Sequence, residues 1–566
     1  MNASVYLFLA LCNLLQLGSW AIAATVYNVT STVSLAPASS PRPEKPVHDA
    51  DYHSFSIEFC YIVDYAGNDT HPNLFSRQVI QNLKDIAGKA PIFRVGGSTQ
   101  NSAVYYPDQT EALIDPFDSI ASSQPRHSYF GPAFLQSFRQ FPAGSQYIFG
   151  LNFFNSENET LFDVGNGLAQ CVLEAHAAYH AIGDALYGFE IGNEVDSWAG
   201  GQRRPANWTI QEYVDQWNEY ASVVSKNLTQ HDADQLFQGC AFEAPRHVTT
   251  ATDWNVANAE ADGMRVNKAK SVADHEYMGA ACDYTGVGPT LATTIFDRTN
   301  VLSRVWYHDY LGNATAASGI PYVLGETNSI SCQGARGISD VMAAAIWAVD
   351  YVLYLSSLRV ERVHFHMGTR YPYSSWLPVT FNETAPTVFP IYYAALFNAH
   401  VFSGGNKQTE VLVNTTDFGA YAVYSLGKLE SLVAVSLSVW NSTFTATKRP
   451  YTALELPETG WENAKVMRLT NPGVDVAANI TLAGQSVNAQ GDIVGTAVYH
   501  APISPWTTSP SGLIAALMLP GPARMLMAVN LVQILIVMPS SDNISVSGVA
   551  VSIVAFQAID RGSTPR

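Results

Sequence analysis

The sequence predicts an α/β fold in which a (β/α)8 TIM barrel is followed by an all-β sandwich. Between residues 50 and 396, apolar strand-like runs alternate with amphipathic helical patterns. Eight such alternations are typical of a closed parallel barrel, and a doubly wound open sheet is the alternative. From residue 397 the pattern changes to short alternating strands separated by turns, which indicates an antiparallel sandwich. A chain of 566 residues has room for both domains.

The N-terminal region has the features of a secreted protein. Residues 1–23 hold an apolar stretch that closes with the small-residue pattern Ala21-Ile22-Ala23, which is typical of a signal peptide. Residues 24–49 contain a strand-like run rich in Val and Thr, followed by a Pro- and Ser-rich connector at 36–46. Because a lone strand is not stable, we expect this one to join the C-terminal sandwich. The protein is therefore expected to be secreted and extracellular.

The region 50–396 supplies the strands and helices of the predicted barrel. The predicted strands are 55–60, 91–95, 147–152, 185–191, 236–242, 269–275, 322–326 and 362–366. The predicted helices include 74–86, 164–181, 210–226 and 338–355. In a parallel barrel all strands would end at one rim, and such barrels carry their active sites there.

The C-terminal part divides into a predicted sandwich, 397–505, and an atypical tail, 506–566. The sandwich includes strand patterns at 410–413, 421–425 and 432–437. In the tail, the apolar stretch 513–538 is interrupted by Pro and Gly and lacks the uninterrupted run of about 20 residues that spans a bilayer. We therefore expect no membrane association. An extra strand pair and an irregular terminus both remain open for the tail.

Composition limits the partners of this protein. The net charge of −18 and the pI of about 5.1 argue against binding to nucleic acid or to an anionic membrane. They also argue mildly against a long sulfated polyanion as substrate. Charged residues make up only 14 % of the chain, and attached glycans could supply the missing surface hydration. Acceptor sequons for N-glycosylation begin at Asn28, Asn68, Asn158, Asn207, Asn227, Asn313, Asn382, Asn414, Asn441, Asn479 and Asn543.

Five cysteines remain after the predicted signal peptide, so at least one is unpaired. Cys282 follows the predicted sixth strand and Cys332 the seventh, which places their loops side by side at the rim. We therefore predict a disulfide between Cys282 and Cys332. The sequence shows no spacing typical of metal ligands, and we expect neither a metal nor another cofactor.

Two of the predicted strands end in Gly and then a glutamate. One ends in Gly192-Asn193-Glu194, and the other in Gly325-Glu326. Each glutamate alone is more often a solvated strand end or a helix-capping acid. As a pair at one rim, however, they predict the two carboxylates of a glycosidase. Asn193 offers an amide that could hold a sugar hydroxyl beside the acid.

Other polar residues lie at predicted strand ends and are candidates for binding substrate. For each of them, a satisfied core or rim position is the alternative interpretation. These candidates are Glu58, Asn101, Asn152, His275 and Tyr277.

The chain resembles the heparanase and β-glucuronidase family of retaining glycoside hydrolases. The resemblance rests on G-N-E at 192–194, L-G-E-T-N-S at 324–329, S-I-E-F at 56–59, R-V-G-G-S-T-Q-N at 94–101 and I-F-G-L-N at 148–152. It implies that Glu194 is the general acid/base and Glu326 the nucleophile. It also implies a glucuronate carboxylate held by Tyr hydroxyls and backbone amides in the loops after strands seven and eight.

One position departs from that family pattern. Ser331 stands where some relatives carry a Tyr, so the residues that hold the uronate remain open. The amide of Gly334 and the side chains of Arg336, Arg370 and Tyr373 are possible donors, and Tyr373 matches the family loop best. The aromatic residues of both loops could equally serve packing.

These observations favour a secreted, retaining exo-β-glucuronidase. Its substrate would be a carbohydrate that ends in β-linked glucuronic or 4-O-methylglucuronic acid, on a polysaccharide or a proteoglycan glycan. One alternative is an endo-β-glucuronidase of heparanase type, which would need a long basic cleft that this acidic composition does not favour. The other alternative is a catalytically inactive sugar-binding protein, against which the presence of both glutamates argues.

Overall fold

A computed structural model describes residues 28–119, 122–155, 164–200, 203–229, 233–243, 249–282, 288–444, 449–456, 465–499, 525–530 and 534–538. The predicted signal peptide lies outside these residues, as do the sequons at Asn158 and Asn543. Within the described residues, no helix is both long and apolar enough to cross a membrane.

The described part of the chain alternates strands and helices as far as residue 401 and then consists of strands. The strands are β1 (Asn28–Ser34), β2 (His53–Glu58), β3 (Ile92–Gly96), β4 (Ala103–Tyr105), β5 (Leu113–Ile114), β6 (Ser128–Phe130), β7 (Gln146–Leu151), β8 (Leu186–Ile191), β9 (Phe237–Phe242), β10 (Ala269–Tyr277), β11 (Tyr322–Asn328), β12 (Val363–Met367), β13 (Trp376–Leu377), β14 (Thr387–Val388), β15 (Lys407–Asn414), β16 (Phe418–Ser425), β17 (Lys428–Ser436), β18 (Pro450–Leu456), β19 (Lys465–Thr470), β20 (Thr481–Leu482), β21 (Ser486–Val487), β22 (Ile493–Val494), β23 (Met525–Asn530) and β24 (Ile534–Met538). The α-helices are α1 (Ile62–Ala66), α2 (Leu74–Ala87), α3 (Gly167–Ile182), α4 (Ile210–Thr229), α5 (Val256–Ala261), α6 (Arg298–Ala317), α7 (Met342–Ser356) and α8 (Pro390–Val401).

Eight parallel strands close into the barrel that the sequence predicted. Their order around the barrel is β2-β3-β7-β8-β9-β10-β11-β12, and the last strand pairs with the first. Every residue of β2, β3, β9, β11 and β12 is buried. Burial on both faces is the condition under which parallel strands are stable, and it explains their continuous apolar runs. The (β/α)8 prediction is therefore confirmed, and each predicted strand overlaps an observed one.

Local signals define the helices between the strands. Helix α2 begins after Asn73, whose side chain accepts a hydrogen bond from the backbone N–H of Ser76. It ends at Gly88, which has the left-handed conformation typical of a helix terminus, with φ of 84°. Helix α7 is buried on nearly all sides, because it lies between the barrel and the C-terminal sheets.

The C-terminal strands form a sandwich of two sheets. One sheet has the order β15-β16-β17-β24-β19-β20, and the other has the order β1-β18-β23. Successive side chains of β17 point to opposite faces of the sheet and belong to two hydrophobic cores. Leu432 packs between the two sheets, whereas Val433 packs toward the barrel. The N-terminal strand β1 runs parallel to β18, so the start of the described chain belongs to this sandwich.

Two strands from the region expected to be a tail also belong to the sandwich. Strand β24 lies between β17 and β19, and β23 pairs with β18. The described part of this region thus contains two strands, but they join different sheets and do not pair with each other, and the sandwich extends past the expected boundary at residue 505. The last barrel helix, α8, likewise continues to Val401 rather than ending at residue 396.

A buried ion pair connects the barrel helices to the sandwich. Arg298 at the start of α6 donates from Nε to Asp350 Oδ2 of α7, at 2.8 Å. It also donates to the hydroxyl of Tyr421 in β16, at 3.0 Å, and to the side chain of Asn414. Tyr421 in turn donates to Asp350 Oδ1, at 2.6 Å. Each member of this pair would be an uncompensated buried charge without the other.

Replacing Arg298 with Met should destabilise the protein by about 3–5 kcal/mol, because it leaves the Asp350 carboxylate buried without its partner. The measurement is the midpoint of urea unfolding, followed by circular dichroism. Arg139→Met is the matched control, since Arg139 pairs with Asp69 at the surface and both side chains are 48 % exposed. Equal shifts of the midpoint in the two variants would contradict a structural role for the Arg298 pair.

Candidate active site

A cavity of about 610 Å³ opens at the carboxyl-terminal rim of the barrel. Five of the residues predicted to catalyse the reaction or bind substrate line it: Glu58, Glu194, Tyr277, Glu326 and Tyr373. Asn193, Asn101 and Gly334 do not line it. The cavity thus brings together residues from strands that are far apart in sequence, as expected for a barrel of this kind.

Glu194 reaches the cavity through a sharp turn after β8. Gly192 has φ of 78°, and a Cβ atom there would lie 2.7 Å from Val195 Cγ1 and 2.9 Å from Phe153 Cβ, so only glycine fits. Glu194 itself is left-handed, with φ of 50°. Its backbone N–H donates to the carbonyl of Ala241 on the neighbouring strand, at 2.8 Å. Non-glycine residues in this conformation are uncommon and often lie at functional sites.

Glu326 lies within β11 and is held by two donors. Arg94 Nη1 donates to Glu326 Oε2 at 2.6 Å, and the Tyr277 hydroxyl donates to Oε1 at 2.7 Å. Carboxyl oxygens of Glu194 and Glu326 and a ring nitrogen of His275 all lie within 4.8 Å of one another. Such a trio could also ligate a cation, but the guanidinium of Arg94 already occupies Glu326 and would repel one.

Arg94 is the central cation of the site, and sequence reasoning gave it no role of its own. It is completely buried. Besides Glu326, it donates to Glu190 Oε1 at 2.5 Å, to Ser56 Oγ at 3.1 Å and to Asn193 Oδ1 at 2.5 Å. The available signal was an arginine inside an otherwise apolar strand, because such a charge is rarely buried without a partner.

The pKa values of the two glutamates are shifted in opposite directions. Burial raises the pKa of Glu194 to about 8, and the nearby carboxylates of Glu326 and Glu243 add to the effect. Burial acts in the same direction on Glu326, but the histidines His366 and His275, Arg94 and the Tyr277 hydroxyl together hold the pKa of Glu326 well below its ordinary range. Glu326 is therefore ionised at neutral pH, while Glu194 keeps its proton.

Two histidines lie beside these carboxyl groups. His275 Nδ1 is 3.0 Å from Glu194 Oε1, and burial lowers the pKa of His275 to about 4, so that its ring is neutral near pH 7. Arg94, unlike His275, keeps its positive charge beside Glu326 at this pH. His366 lies between Glu326 and Glu58, 3.5 Å from the first and 3.3 Å from the second.

The two asparagines predicted to bind substrate brace the Glu194 turn from behind. Asn193 and Asn101 are only 1 % and 7 % exposed. Asn101 Nδ2 donates to the carbonyl of Asn193 at 2.9 Å, and the N–H of Asn193 donates to Asn101 Oδ1 at 3.1 Å. These bonds position the backbone that carries Glu194. Contact between either side chain and a sugar stays a prediction.

One end of the cavity is closed by an insertion after β3. This insertion contains the small sheet β4-β6-β5, and its loop brings Gln124 into the cavity wall. Gln124 Nε2 donates to Glu58 Oε2 at 2.9 Å and to the hydroxyl of Tyr371 at 3.0 Å. Glu58 also accepts from the backbone and the hydroxyl of Thr99, at 2.8 and 2.6 Å. Glu58 is therefore rigidly held as an acceptor at the closed end.

The loop after β11 carries the predicted disulfide and an unusual turn. Cys282 and Cys332 are bonded, with their Cα atoms 5.9 Å apart. Cys332, Gln333 and Gly334 are all left-handed, with φ of 59°, 70° and 98°. Ser331, Cys332 and Gln333 line the cavity. Gly334 lies behind it, where a Cβ atom would come within 2.9 Å of the backbone nitrogen of Tyr373.

The two arginines considered as uronate donors lie elsewhere. The Arg336 side chain is 80 % exposed and pairs with Asp340. Arg370 donates to the carbonyl of Ser122 at 2.6 Å and stacks on Phe117, so it anchors the insertion instead. Neither lines the cavity. Their long side chains made them candidates from sequence, but the directions in which they point depend on tertiary packing.

The chain is similar to known glycosidases in both sequence and structure. Residues 420–510 match the model of the glycosyl hydrolase family 79 C-terminal β domain. A protein of Aspergillus niger named β-glucuronidase is 35 % identical over 467 residues, covering 77 % of this chain and 83 % of the relative. A protein of Neurospora crassa with the same name is 31 % identical over 514 residues, covering 83 % and 90 %.

Solved structures share the fold at lower identity. A 4-O-α-L-rhamnosyl-β-D-glucuronidase from Fusarium oxysporum 12S superposes with a TM-score of 0.71 at 21 % identity, covering 89 % of this chain and 100 % of that chain. A family 51 α-L-arabinofuranosidase from Bifidobacterium longum has a TM-score of 0.56 at 12 % identity, covering 90 % and 99 %. Since the fungal relatives match over most of their length, this chain belongs to the β-glucuronidases of glycosyl hydrolase family 79.

Proposed function

We propose that this β-glucuronidase is a secreted exo-enzyme that cleaves with retention of anomeric configuration. The observation that carries the proposal is the separation of the two carboxyl groups, whose oxygens approach within 4.8 Å. Retaining glycosidases place the two groups about 5–5.5 Å apart, whereas inverting enzymes need about 6.5–9.5 Å to admit a water molecule. The short separation supports direct attack by a carboxylate.

The protonation states match the first step of such a reaction. Glu326, ionised, would attack the anomeric carbon, and Glu194, protonated, would donate its proton to the leaving oxygen. Arg94 and Tyr277 fix both oxygens of Glu326, so the nucleophile needs no reorientation. The turn braced by Asn101 and Asn193 likewise holds the backbone of Glu194 in place.

The second step reverses the role of Glu194. When Glu326 becomes an ester, its negative charge disappears and one of the causes that raise the pKa of Glu194 is removed. Glu194, now ionised, can accept a proton from water as the water attacks the glycosyl-enzyme. His275, neutral and 3.0 Å from Glu194, fits as a hydrogen-bonding partner in both states.

Exo action is supported by the closed end of the cavity. Among the described residues, Glu58, Gln124 and Tyr371 form a hydrogen-bonded wall at this end, which supports binding of a terminal sugar rather than of a polysaccharide that continues past it. We assign the uronate to the loops after β11 and β12, where Tyr373, Ser331 and Gln333 line the cavity. An endo-glucuronidase would need an open cleft at this end. A binding protein without activity would not need pKa values that are shifted in opposite directions at Glu194 and Glu326.

Secretion is the expectation from the signal-peptide pattern, and surface exposure of the sequons fits it. Eight acceptors whose side chains the structure describes are at least partly exposed: Asn68, Asn207, Asn227, Asn313, Asn382, Asn414, Asn441 and Asn479. Exposure is a condition for carrying a glycan in the folded protein. We therefore propose an extracellular glycoprotein.

The assigned roles predict different losses for the two glutamates. Glu326→Gln should abolish turnover of every β-glucuronide, because no nucleophile remains. Glu194→Ala should reduce kcat/KM for an unactivated alkyl glucuronide by about 10²–10⁴-fold, but far less for 4-nitrophenyl glucuronide, whose leaving group needs little protonation. Steady-state kinetics on both substrates measure this. Equal losses on the two substrates for Glu194→Ala would contradict the acid/base role.

The pKa values also predict a pH profile and its response to Tyr277→Phe. Activity should fall as pH rises through about 8, since Glu194 then loses the proton that it must donate. The acid limb reports Glu326, which must be ionised. Removing the Tyr277 hydroxyl should raise the pKa of Glu326 and move the acid limb of kcat/KM to higher pH, with the basic limb unchanged. A shift of the basic limb alone would contradict the assignment.

A further inference from the structure

Strand β9 is irregular at the point where it lies beside Glu194. In its pairing with β10 the register shifts between Cys240 and Phe242, so Ala241 is an extra residue in β9. Cys240 and Ala241 are both left-handed, with φ of 69° and 56°. This arrangement is a β-bulge, which is rare between parallel strands. Bulges often lie at barrel rims and next to active sites, where they redirect neighbouring groups.

The bulge supplies the acceptor that holds the backbone of Glu194. Within the described residues, the regular ladder between β8 and β9 ends at Glu190. Beyond it, the Glu194 N–H donates to the carbonyl of Ala241 at 2.8 Å. A second bond runs in the opposite sense, from the Glu243 N–H to Asp196 Oδ1 at 2.9 Å. The turn that carries Glu194 is thus tied to the irregular end of β9.

The bulge is strained and needs support from its surroundings. Two consecutive left-handed residues other than glycine persist only where neighbouring groups hold the backbone in place. Here the Cys240 N–H donates to the hydroxyl of Tyr213 on helix α4, at 2.9 Å. If this hydroxyl were removed, the Cys240 N–H would lose an acceptor inside the protein, which is unfavourable for a buried donor. The Tyr213 hydroxyl therefore stabilises the bulged conformation.

Tyr213 is itself held by packing. Its side chain has no exposed surface. Four aromatic rings surround it, with centroids 5.3 to 6.2 Å from its own: Phe153, Trp208, Phe242 and Trp254. A ring fixed in this way places its hydroxyl in one position, as the support of a catalytic group requires.

We infer that Tyr213 is a positioning residue for the acid/base. Through the bulge at Cys240 and Ala241, its hydroxyl sets the position of the Glu194 backbone and hence the distance between the Glu194 carboxyl group and the leaving oxygen. The inference rests on the acid/base role proposed for Glu194. Tyr213 does not line the cavity, so it acts through the backbone rather than on the substrate. Glu326 is held by other donors, so the nucleophile should be unaffected.

The test is Tyr213→Phe, which removes the hydroxyl and keeps the packed ring. The ratio of kcat/KM for an alkyl glucuronide to that for 4-nitrophenyl glucuronide should fall about ten- to hundredfold, because a displaced acid assists a poor leaving group less well. A purely structural loss would lower both values alike and leave the ratio unchanged. Steady-state kinetics on the two substrates measure the ratio.

The aryl substrate gives a second readout. Its first bond breaks with little help from an acid, whereas hydrolysis of the glycosyl-enzyme still needs Glu194 as base. Tyr213→Phe should therefore release a burst of 4-nitrophenol in the first turnover, followed by a lower steady-state rate than in the unsubstituted enzyme. Stopped-flow absorbance records both phases.

Tyr220→Phe is the matched control. Tyr220 lies on the same helix, is equally buried, and donates to the carbonyl of Phe154 at 2.5 Å rather than supporting the bulge. Its substitution should leave the ratio unchanged. An unchanged ratio in Tyr213→Phe would overturn the inference, as would an equal fall in Tyr220→Phe.

Glu194→Ala, measured alongside, separates this inference from the proposed function. If Glu194→Ala lost activity equally on the two substrates, the acid/base role itself would fall, and the inference with it. If Glu194→Ala lowered the ratio while Tyr213→Phe did not, the acid/base role would stand and only the role of Tyr213 would be wrong.

Discussion

The site depends on one buried guanidinium. Arg94 sits inside the barrel without access to solvent and contacts Glu190 on one side and Glu326 on the other. An isolated charge at such a position would cost several kcal/mol, and the two carboxylates offset that cost only if their geometry is maintained. Gln238 Nε2 completes the arrangement by donating to Glu190 Oε2 at 2.6 Å. The strands that carry these residues are therefore tied to one another through Arg94.

The same charge contributes to the difference in pKa between two glutamates that lie so close together. Arg94 contacts Glu326 directly, while its bond to Asn193 reaches only the residue before Glu194. Glu326 is therefore stabilised as an anion, and that anion, together with burial, keeps the proton on Glu194. Opposed proton affinities in neighbouring acids are how a fold obtains an acid and a nucleophile at one pH. In this protein the asymmetry follows from the groups that surround Glu326, which are His366, His275, the Arg94 guanidinium and the Tyr277 hydroxyl.

Much of this architecture could be predicted from the sequence, because it depends on local patterns. Apolar runs located all eight barrel strands, since burial on both faces leaves a continuous signal. Glu194 and Glu326 could be found because each follows a glycine near the end of such a run, and Cys282 and Cys332 because their loops adjoin. The partners of these residues could not be found in that way. Gln124 contacts Glu58 from an insertion, and Arg304 contacts Glu276 from a helix. Both contacts depend on how these elements pack against the barrel, which a local sequence pattern does not show. Strands β23 and β24 both lie in the apolar stretch 513–538, where Pro and Gly interrupt the pattern, so the sequence does not distinguish strands from an irregular terminus there.

The central claim is that Glu326 attacks the sugar directly, and the configuration of the first product tests it. The β-glucuronide would be hydrolysed in an NMR tube, and the anomeric proton of the released glucuronic acid recorded before mutarotation. Carboxyl oxygens that approach within 4.8 Å match the short separation of retaining enzymes, in which the carboxylate itself attacks the sugar, so two successive inversions should yield the β-anomer first. If the α-anomer appeared first, Glu326 would be activating water rather than forming a bond to carbon, and the retaining mechanism proposed for this site would be wrong.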